Sequence, residues 1–313
     1  MSQPLSSQPI GTPPAPGALP DAARPGLRAL AADLLELVKS RIAFMVAITC
    51  AAGFVLASQG AVDLVLLAHA LLGTTLVAMG GGALNQVLER EVDARMERTA
   101  ERPIPAGRIG ADAALALGVL LSVSGLLHLA VAVNLLTALL GAATLAGYLF
   151  VYTPLKRVSS LATVVGAVPG AIPPVMGWTA AAGSLDPGAW ALFGILFLWQ
   201  LPHFLAIAWM YRDDYARGGF PMLSVADPEG RRTGRQALLW AAALVPVSLA
   251  PSALGLTGAV YFVGAIALSL TFLGFAAAFD RARDRGAARR LLLVSVLYLP
   301  AILAVMLADR VAP

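Results

Sequence analysis

The chain has 313 residues, 58% of them hydrophobic and only 13% charged, with a formal net charge of +4. A soluble domain is nearer half apolar and about a quarter charged. The composition therefore excludes an ordinary soluble protein, and the small basic excess has a membrane explanation rather than a nucleic-acid one. The single cysteine, Cys50, excludes an internal disulfide.

Residues 1–26 contain seven prolines among Ser, Gln, Gly and Ala. Such a segment cannot bury enough apolar surface to offset its ordering entropy, so it is predicted to be disordered. No basic residue precedes an early apolar core there, so a secretory signal is not expected. In "LRALAADLLELVKSRI", Leu27, Leu30, Leu34, Leu37 and Val38 recur at helical spacing. That pattern predicts an amphipathic helix on the membrane surface.

Apolar runs of about twenty residues follow, the length that crosses a bilayer core as a helix. They predict nine spans near 41–58, 64–88, 112–133, 135–152, 161–182, 189–210, 237–253, 256–278 and 290–308. The expected fold class is all-α, a polytopic membrane helical bundle, with residues 27–313 as one intramembrane domain. Of 22 Lys and Arg, all but Arg310 fall in the N-terminal segment or in the loops after spans 2, 4, 6 and 8. The positive-inside rule then places the N-terminus and long loops in the cytoplasm and the C-terminus outside. Chemistry is expected at the cytoplasmic face.

The loop after span 2, "NQVLEREVDARMERTAERPIPAGR", holds ten charged side chains. Asn85, Glu89 and Asp93 are spaced four apart and continue the span 2 helix, so they share one face. Carboxylates at that spacing repel, and a divalent cation relieves the repulsion; Mg²⁺ takes a few carboxylates together with substrate phosphate oxygens. Arg98, Arg102 and Arg108 follow, suited to bidentate contacts with a diphosphate. An exposed helix end with Glu91–Arg95 and Arg90–Asp93 pairs explains many of the same charges. Asn85 fits that alternative less well, since it lies inside the apolar run beside "GGGAL".

After span 4, "YTPLKR" supplies Lys156 and Arg157, either for diphosphate oxygens or for the positive-inside rule alone. Span 5 contains Pro169, Pro173 and Pro174, predicting a kinked helix that lines a pocket. Span 6 buries Gln200 and His203 in "WQLPHF", where polar groups usually face an interior or a pathway. His203 could touch a polar substrate group, ligate a porphyrin iron or move a proton, or be a satisfied core histidine. His69 and His128 lack polar neighbours in sequence and are expected to be core. After span 6, "YRDDYARGGFPML" offers Arg212, Asp213 and Asp214; Asp214 is expected to face the site and Asp213 to pair with Arg217.

These motifs, with "GAVPGAIPPVMGW", resemble the UbiA superfamily of intramembrane prenyltransferases, and within it the protoheme IX farnesyltransferase (heme O synthase) family. The likeness runs from about residue 35 to the C-terminus. The superfamily's first motif appears as Asn85, Gln86, Glu89 and Asp93, and its second survives only as Asp213 and Asp214. "LVKSRI" resembles the family's Lys-Pro-Arg start of span 1. The resemblance implies transfer of a farnesyl group from farnesyl diphosphate to the 2-vinyl group of heme b, with addition of water, and Mg²⁺ as cofactor. It implies catalytic roles for Asn85, Glu89, Asp93 and Asp214, with Glu89, Asp93 and Asp214 as metal ligands. Arg98, Arg102, Lys156 and Arg157 would neutralise the leaving group, Arg212 and Asp213 would assist, and His203 would contact the porphyrin. Expected surroundings are a cell inner membrane and its lipid, with a heme A synthase or terminal-oxidase assembly machinery as partner and no nucleic acid. Other UbiA-type enzymes acting on a quinone precursor or chlorophyllide, a transporter, and a catalytically dead heme-binding factor are the alternatives.

Overall fold

The computed structural model describes residues 26–58 and 60–311. The predicted disordered segment therefore lies almost wholly outside the described residues. A surface helix, Leu27–Leu37, leads into nine membrane-length helices among the described residues. They are span 1 (Ser40–Ala57), span 2 (Leu64–Asp93), span 3 (Ala111–Ala132), span 4 (Leu135–Leu155), span 5 (Ala162–Ala182), span 6 (Pro187–Met210), span 7 (Arg231–Ala253), span 8 (Ala259–Ala282) and span 9 (Arg285–Ala308). The protein is a multi-pass membrane protein, all-α as expected.

Spans 1 to 5 pack as one group and spans 6 to 9 as another, joined through spans 5 and 6. Lipid tails supply no hydrophobic drive between helices, so close backbone approach by small residues does much of the work. The seam between spans 1 and 5 shows this. A side chain at Gly53 would meet the Pro174 carbonyl, and one at Gly177 would meet the Cys50 carbonyl. Span 5 is the most buried of the nine. It runs as one helix through Pro169, Pro173 and Pro174, and all three prolines are buried, so protein rather than lipid covers the carbonyls they leave unpaired. The pocket expected beside them lies instead at the start of the helix, around Thr163.

Span 2 carries three consecutive glycines, and successive helical residues point about 100° apart. Each therefore serves a different neighbour. Gly80 abuts Ser122 of span 3, Gly81 faces Leu145 and Tyr148 of span 4, and Gly82 approaches the Val38 carbonyl and Lys39 Cβ. Span 2 is thereby drawn against the start of span 1 just where its polar stripe begins.

Span 4 ends in a wide π-turn, Gly147–Tyr152, before Thr153–Leu155. Such turns often mark functional sites. In this one Tyr148 and Tyr152 stack with ring centroids 5.8 Å apart. His69 and His128, expected to lack polar company, bond to each other across spans 2 and 3 at 3.2 Å. Separation along the chain hid that pair.

Candidate active site

The polar stripe of span 2 points inward. Asn85, Glu89 and Asp93 are only 2%, 3% and 1% exposed, and Lys156 is 9% exposed. Bare carboxylates at such depth are costly, so each has acquired a cation. Lys156 Nζ lies 3.2 Å from Glu89, and Arg102 Nη1 lies 2.6 Å from Asp93. Asn85 accepts from Lys39 Nζ at 2.6 Å and donates to Thr153 Oγ1 at 3.1 Å. Lys39 also donates to the Tyr148 hydroxyl at 3.1 Å.

Lys39 is the site residue that the residue-by-residue reading missed. It sits between the surface helix and span 1 in a left-handed conformation, φ 51°, with its side chain on Asn85 of span 2 and Tyr148 of span 4. Its ammonium feels Arg102, Glu89, Lys156 and Asp93 at once. Burial chiefly, then Arg102, lowers its pKa to about 7. Its two direct partners are neutral. Burial would lower Lys156 as well, but Tyr152 and the Glu89 carboxylate hold it above its ordinary value.

Gln86 holds the end of the surface helix, donating to the Glu36 and Leu37 carbonyls. Its Oε1 is the one buried side-chain N or O atom without a partner among the described residues.

Two charged loops form a cap over this cluster. Asp214, 8% exposed, accepts from the Glu97 backbone N–H at 3.0 Å and from Arg217. Arg217 also reaches Glu97 at 3.1 Å. Arg98 lies over the Tyr211 and Tyr215 rings, and Lys156 lies 4.5 Å from the Phe220 ring centroid. Met96, Tyr215, Phe220 and Met222 pack between the loops. Beneath the cap is a cavity of about 50 Å³ lined by Tyr152, Thr163, Phe204, Ile207, Ala208, Tyr215 and Met222. A larger cleft of about 300 Å³ shares Thr163 and extends between spans 5, 6 and 7 to Gln236 and Trp240.

Several expected details differ. Span 2 ends at Asp93, so Glu91–Arg95 is not an intrahelical pair. Asp93 takes Arg102, and Arg90 takes Glu91 instead. Arg217 bonds Asp214 one turn back, at i+3, and exposed Asp213 is left with Arg212 at 3.9 Å. Arg212 also lies 4.5 Å from the Trp209 ring centroid. Arg108 ties the first loop to Asp33 of the surface helix at 2.9 Å. Exposed Arg157 donates to the Leu88 carbonyl. Gln200 bonds the Ala167 carbonyl of span 5 at 2.8 Å, and His203 bonds Ser295 of span 9. Asp214 serves the loop junction, and among the described residues no three His, Cys, Asp or Glu side chains gather as a metal-binding group.

The buried Lys156–Glu89 pair makes a stability prediction. Lys156→Met should destabilise the protein by about 3 kcal/mol, because it strands a buried carboxylate. Adding Glu89→Gln should recover part of that loss in thermal unfolding of the detergent-solubilised protein. A Lys156→Met protein as stable as wild type would mean that Glu89 has another counter-charge.

The model of the UbiA prenyltransferase family matches residues 46–299. Among curated relatives, the protoheme IX farnesyltransferase of Solibacter usitatus (strain Ellin6076) is 50% identical over 289 residues, covering 89% of this chain and 98% of that one. Among solved structures, a digeranylgeranylglyceryl phosphate synthase aligns with a TM-score of 0.75 at 15% identity, covering 89% of this chain and 98% of that one. A UbiA homolog from Archaeoglobus fulgidus bound to GPP and Mg²⁺ aligns with a TM-score of 0.63 at 16% identity, covering 88% and 99%. The nine-helix fold, the inward stripe on span 2 and these likenesses agree: the chain belongs to the UbiA prenyltransferase family.

Proposed function

We propose that this enzyme transfers a farnesyl group from farnesyl diphosphate to the 2-vinyl group of heme b, with uptake of water, giving heme O and diphosphate. The observation that carries the reading is the buried cluster of Lys39, Asn85, Glu89, Asp93, Arg102 and Lys156 beneath a two-loop cap. The name of the Solibacter relative supports the choice of substrates.

Glu89 and Asp93 offer buried oxygen donors, with Asn85 beside them and Asp214 on the second loop as the remaining candidate. Mg²⁺ needs only one or two carboxylates beside phosphate oxygens and water, so this donor set suits it. When bound, Mg²⁺ would neutralise charge growing on the departing diphosphate. Lys39, Lys156 and Arg102 become the phosphate's partners, since each now rests on a group that the ligand would engage. Their charges are aimed at the leaving oxygens in a water-poor site, where they act strongly. Tyr152, backed by the stacked ring of Tyr148, lines the adjoining cavity and would hold the allylic fragment against an aromatic face. The vinyl carbon attacks that fragment, and water then adds to the porphyrin-stabilised cation.

The one-sided basic charge supports a cap on the cytoplasmic side of a cell inner membrane, in keeping with the reading of residues 27–313 as a single domain. Amphiphilic substrates suit such a site, with polar heads at the interface and apolar bodies between the spans.

Mass analysis of hemes extracted from a host lacking its own enzyme tests the reaction. A heme heavier by one farnesyl group and one hydroxyl is expected. An unchanged heme b, with protein present in the membrane, would contradict it.

Lys39 gives the site a pH dependence. Burial, then Arg102, brings its pKa down from the 10.5 of an ordinary lysine to about 7 in the fold. The fold therefore binds fewer protons than the unfolded chain between those values. This group's stability penalty is full below about pH 7 and fades as pH rises toward 10.5. An incoming diphosphate favours the ammonium, so binding at pH 8 should take up protons and weaken as pH rises further. Calorimetry in buffers of different ionisation enthalpy reads this directly; proton release at pH 8 would contradict it.

A further inference from the structure

The cleft of about 300 Å³ between spans 5, 6 and 7 has no part in the transfer chemistry. Spans 5 and 7 both pack on span 6, and the cleft is the furrow between them. Its wall is apolar, formed by Val164, Leu201, Leu205, Leu223 and Trp240. Leu161 on its edge is 65% exposed, and Leu239 beside Trp240 is 57% exposed. The furrow therefore opens toward the bilayer. An apolar cavity of about 150 Å³ takes a benzene ring, so twice that space takes a stretch of acyl chain.

The rim is polar. Ser160, Thr163 and Gln236 also line the cleft, and their side chains make no hydrogen bond among the described residues. Arg232, Gln236 and Trp240 are four apart on span 7 and share a face. A guanidinium, an amide and an indole thus follow one another over about 12 Å.

Arg232 is exposed and has no acidic partner among the described residues. The acids closest to it in the chain are otherwise engaged. Glu229 takes Arg231 at 2.7 Å, and Asp227 accepts from the Thr233 backbone N–H and hydroxyl. Arg235, one residue before Gln236, is exposed and unpaired as well. The positive-inside rule asks only for basic residues at such membrane ends. It does not ask for unsatisfied hydrogen-bonding groups beside an apolar furrow.

Together these features fit an amphiphile with an anionic head rich in acceptor oxygens and a long apolar chain. The farnesyl diphosphate head has its own cations in the buried cluster, so a different head belongs here. The bilayer surrounds the furrow and supplies such molecules. We propose that the cleft holds one anionic phospholipid, with its phosphate on Arg232, Gln236 and Ser160 and an acyl chain along Leu201, Leu205 and Trp240. Such a lipid would sit there whichever acceptor the enzyme uses.

The test is native mass spectrometry of the purified, delipidated full-length protein in neutral detergent. It is titrated with phosphatidylglycerol or with phosphatidylcholine of equal chain length. One phosphatidylglycerol should be retained per chain, about fivefold or more in preference to phosphatidylcholine, the gain expected of a single cation near the surface. Arg232→Gln should weaken its retention about fivefold, while Arg232→Lys keeps most of it. Arg90→Gln, which removes a charge on span 2, should behave as wild type. Val164→Trp fills the furrow and leaves the charge in place, so it should lose the lipid. If that variant does not fold, the Arg232 pair still decides. Equal retention of the two lipids overturns the proposal, as does wild-type binding by Arg232→Gln or by folded Val164→Trp. Displacement of the lipid by an equal concentration of glycerol 3-phosphate would make this a site for a free anion. One-for-one displacement by farnesyl diphosphate would give the furrow to the substrate's chain, entering past Thr163. Either result also overturns it.

Discussion

Asp93→Asn is expected to lower farnesyl transfer by about a hundredfold to a thousandfold, a loss on the scale of removing one preorganised electrostatic contact to a transition state. Membranes should still hold folded protein. The substitution keeps the side chain's size at a position that is 1% exposed. It removes the charge that pairs with Arg102 at 2.6 Å. Two effects then coincide: a carboxylate suited to Mg²⁺ is lost, and Arg102 loses the partner that aims it into the site. Thr99 bonds the Asp93 backbone carbonyl rather than its side chain, so the turn that ends span 2 should survive. Transfer assays on purified protein, normalised to folded protein by size-exclusion chromatography, check this. Activity within threefold of wild type would remove Asp93 from the site.

Gly177→Val is expected to prevent assembly of the fold. A Cβ at Gly177 would sit on the Cys50 carbonyl, and the neighbouring contact of Gly53 with the Pro174 carbonyl leaves the seam no room to slide. Flexible side chains can yield, but here both obstacles are backbone. Overpacking costs about 1–3 kcal/mol where neighbours can adjust, and more where they cannot, against a total stability of about 5–15 kcal/mol. The harm should reach the site as well, because span 1 begins directly after Lys39 and span 5 starts beside the cavity around Thr163. The expected result is little monodisperse protein in detergent. A Gly177→Val protein with wild-type yield and melting temperature would contradict the tight seam between spans 1 and 5.

The stripe of Asn85, Glu89 and Asp93 was legible because spacing of four on a helix already defines a face, and an Asn inside an apolar run marks that face as inward. The nine spans were legible for the same local reason, length and hydropathy. Lys39 was not, since a lysine at the start of a span satisfies the positive-inside rule without further purpose, and only the left-handed turn carries it to Asn85. Tyr148 and Tyr152 read as part of an apolar run, because nothing in composition signals a π-turn. The partners of the arginines were hidden too. Arg102 turns back nine residues within the first loop to meet Asp93, and Arg217 meets Glu97 because two loops far apart in sequence fold onto each other. The first of these pairings lies in the buried cluster and the second joins the two loops of the cap. Ser295 gave no signal at all, lying more than ninety residues from His203, whose Nδ1 it meets at 2.7 Å.

The most direct test of the buried cluster as a diphosphate site is pulsed electron paramagnetic resonance of Mn²⁺ with purified protein and a non-hydrolysable farnesyl diphosphate analogue. Mn²⁺ replaces Mg²⁺ at oxygen-donor sites of this kind. A ³¹P-coupled manganese signal is expected in wild type, lost or strongly reduced in Glu89→Gln and Asp93→Asn. The same coupled signal persisting at full strength when both carboxylates are neutralised together would place the metal and diphosphate elsewhere.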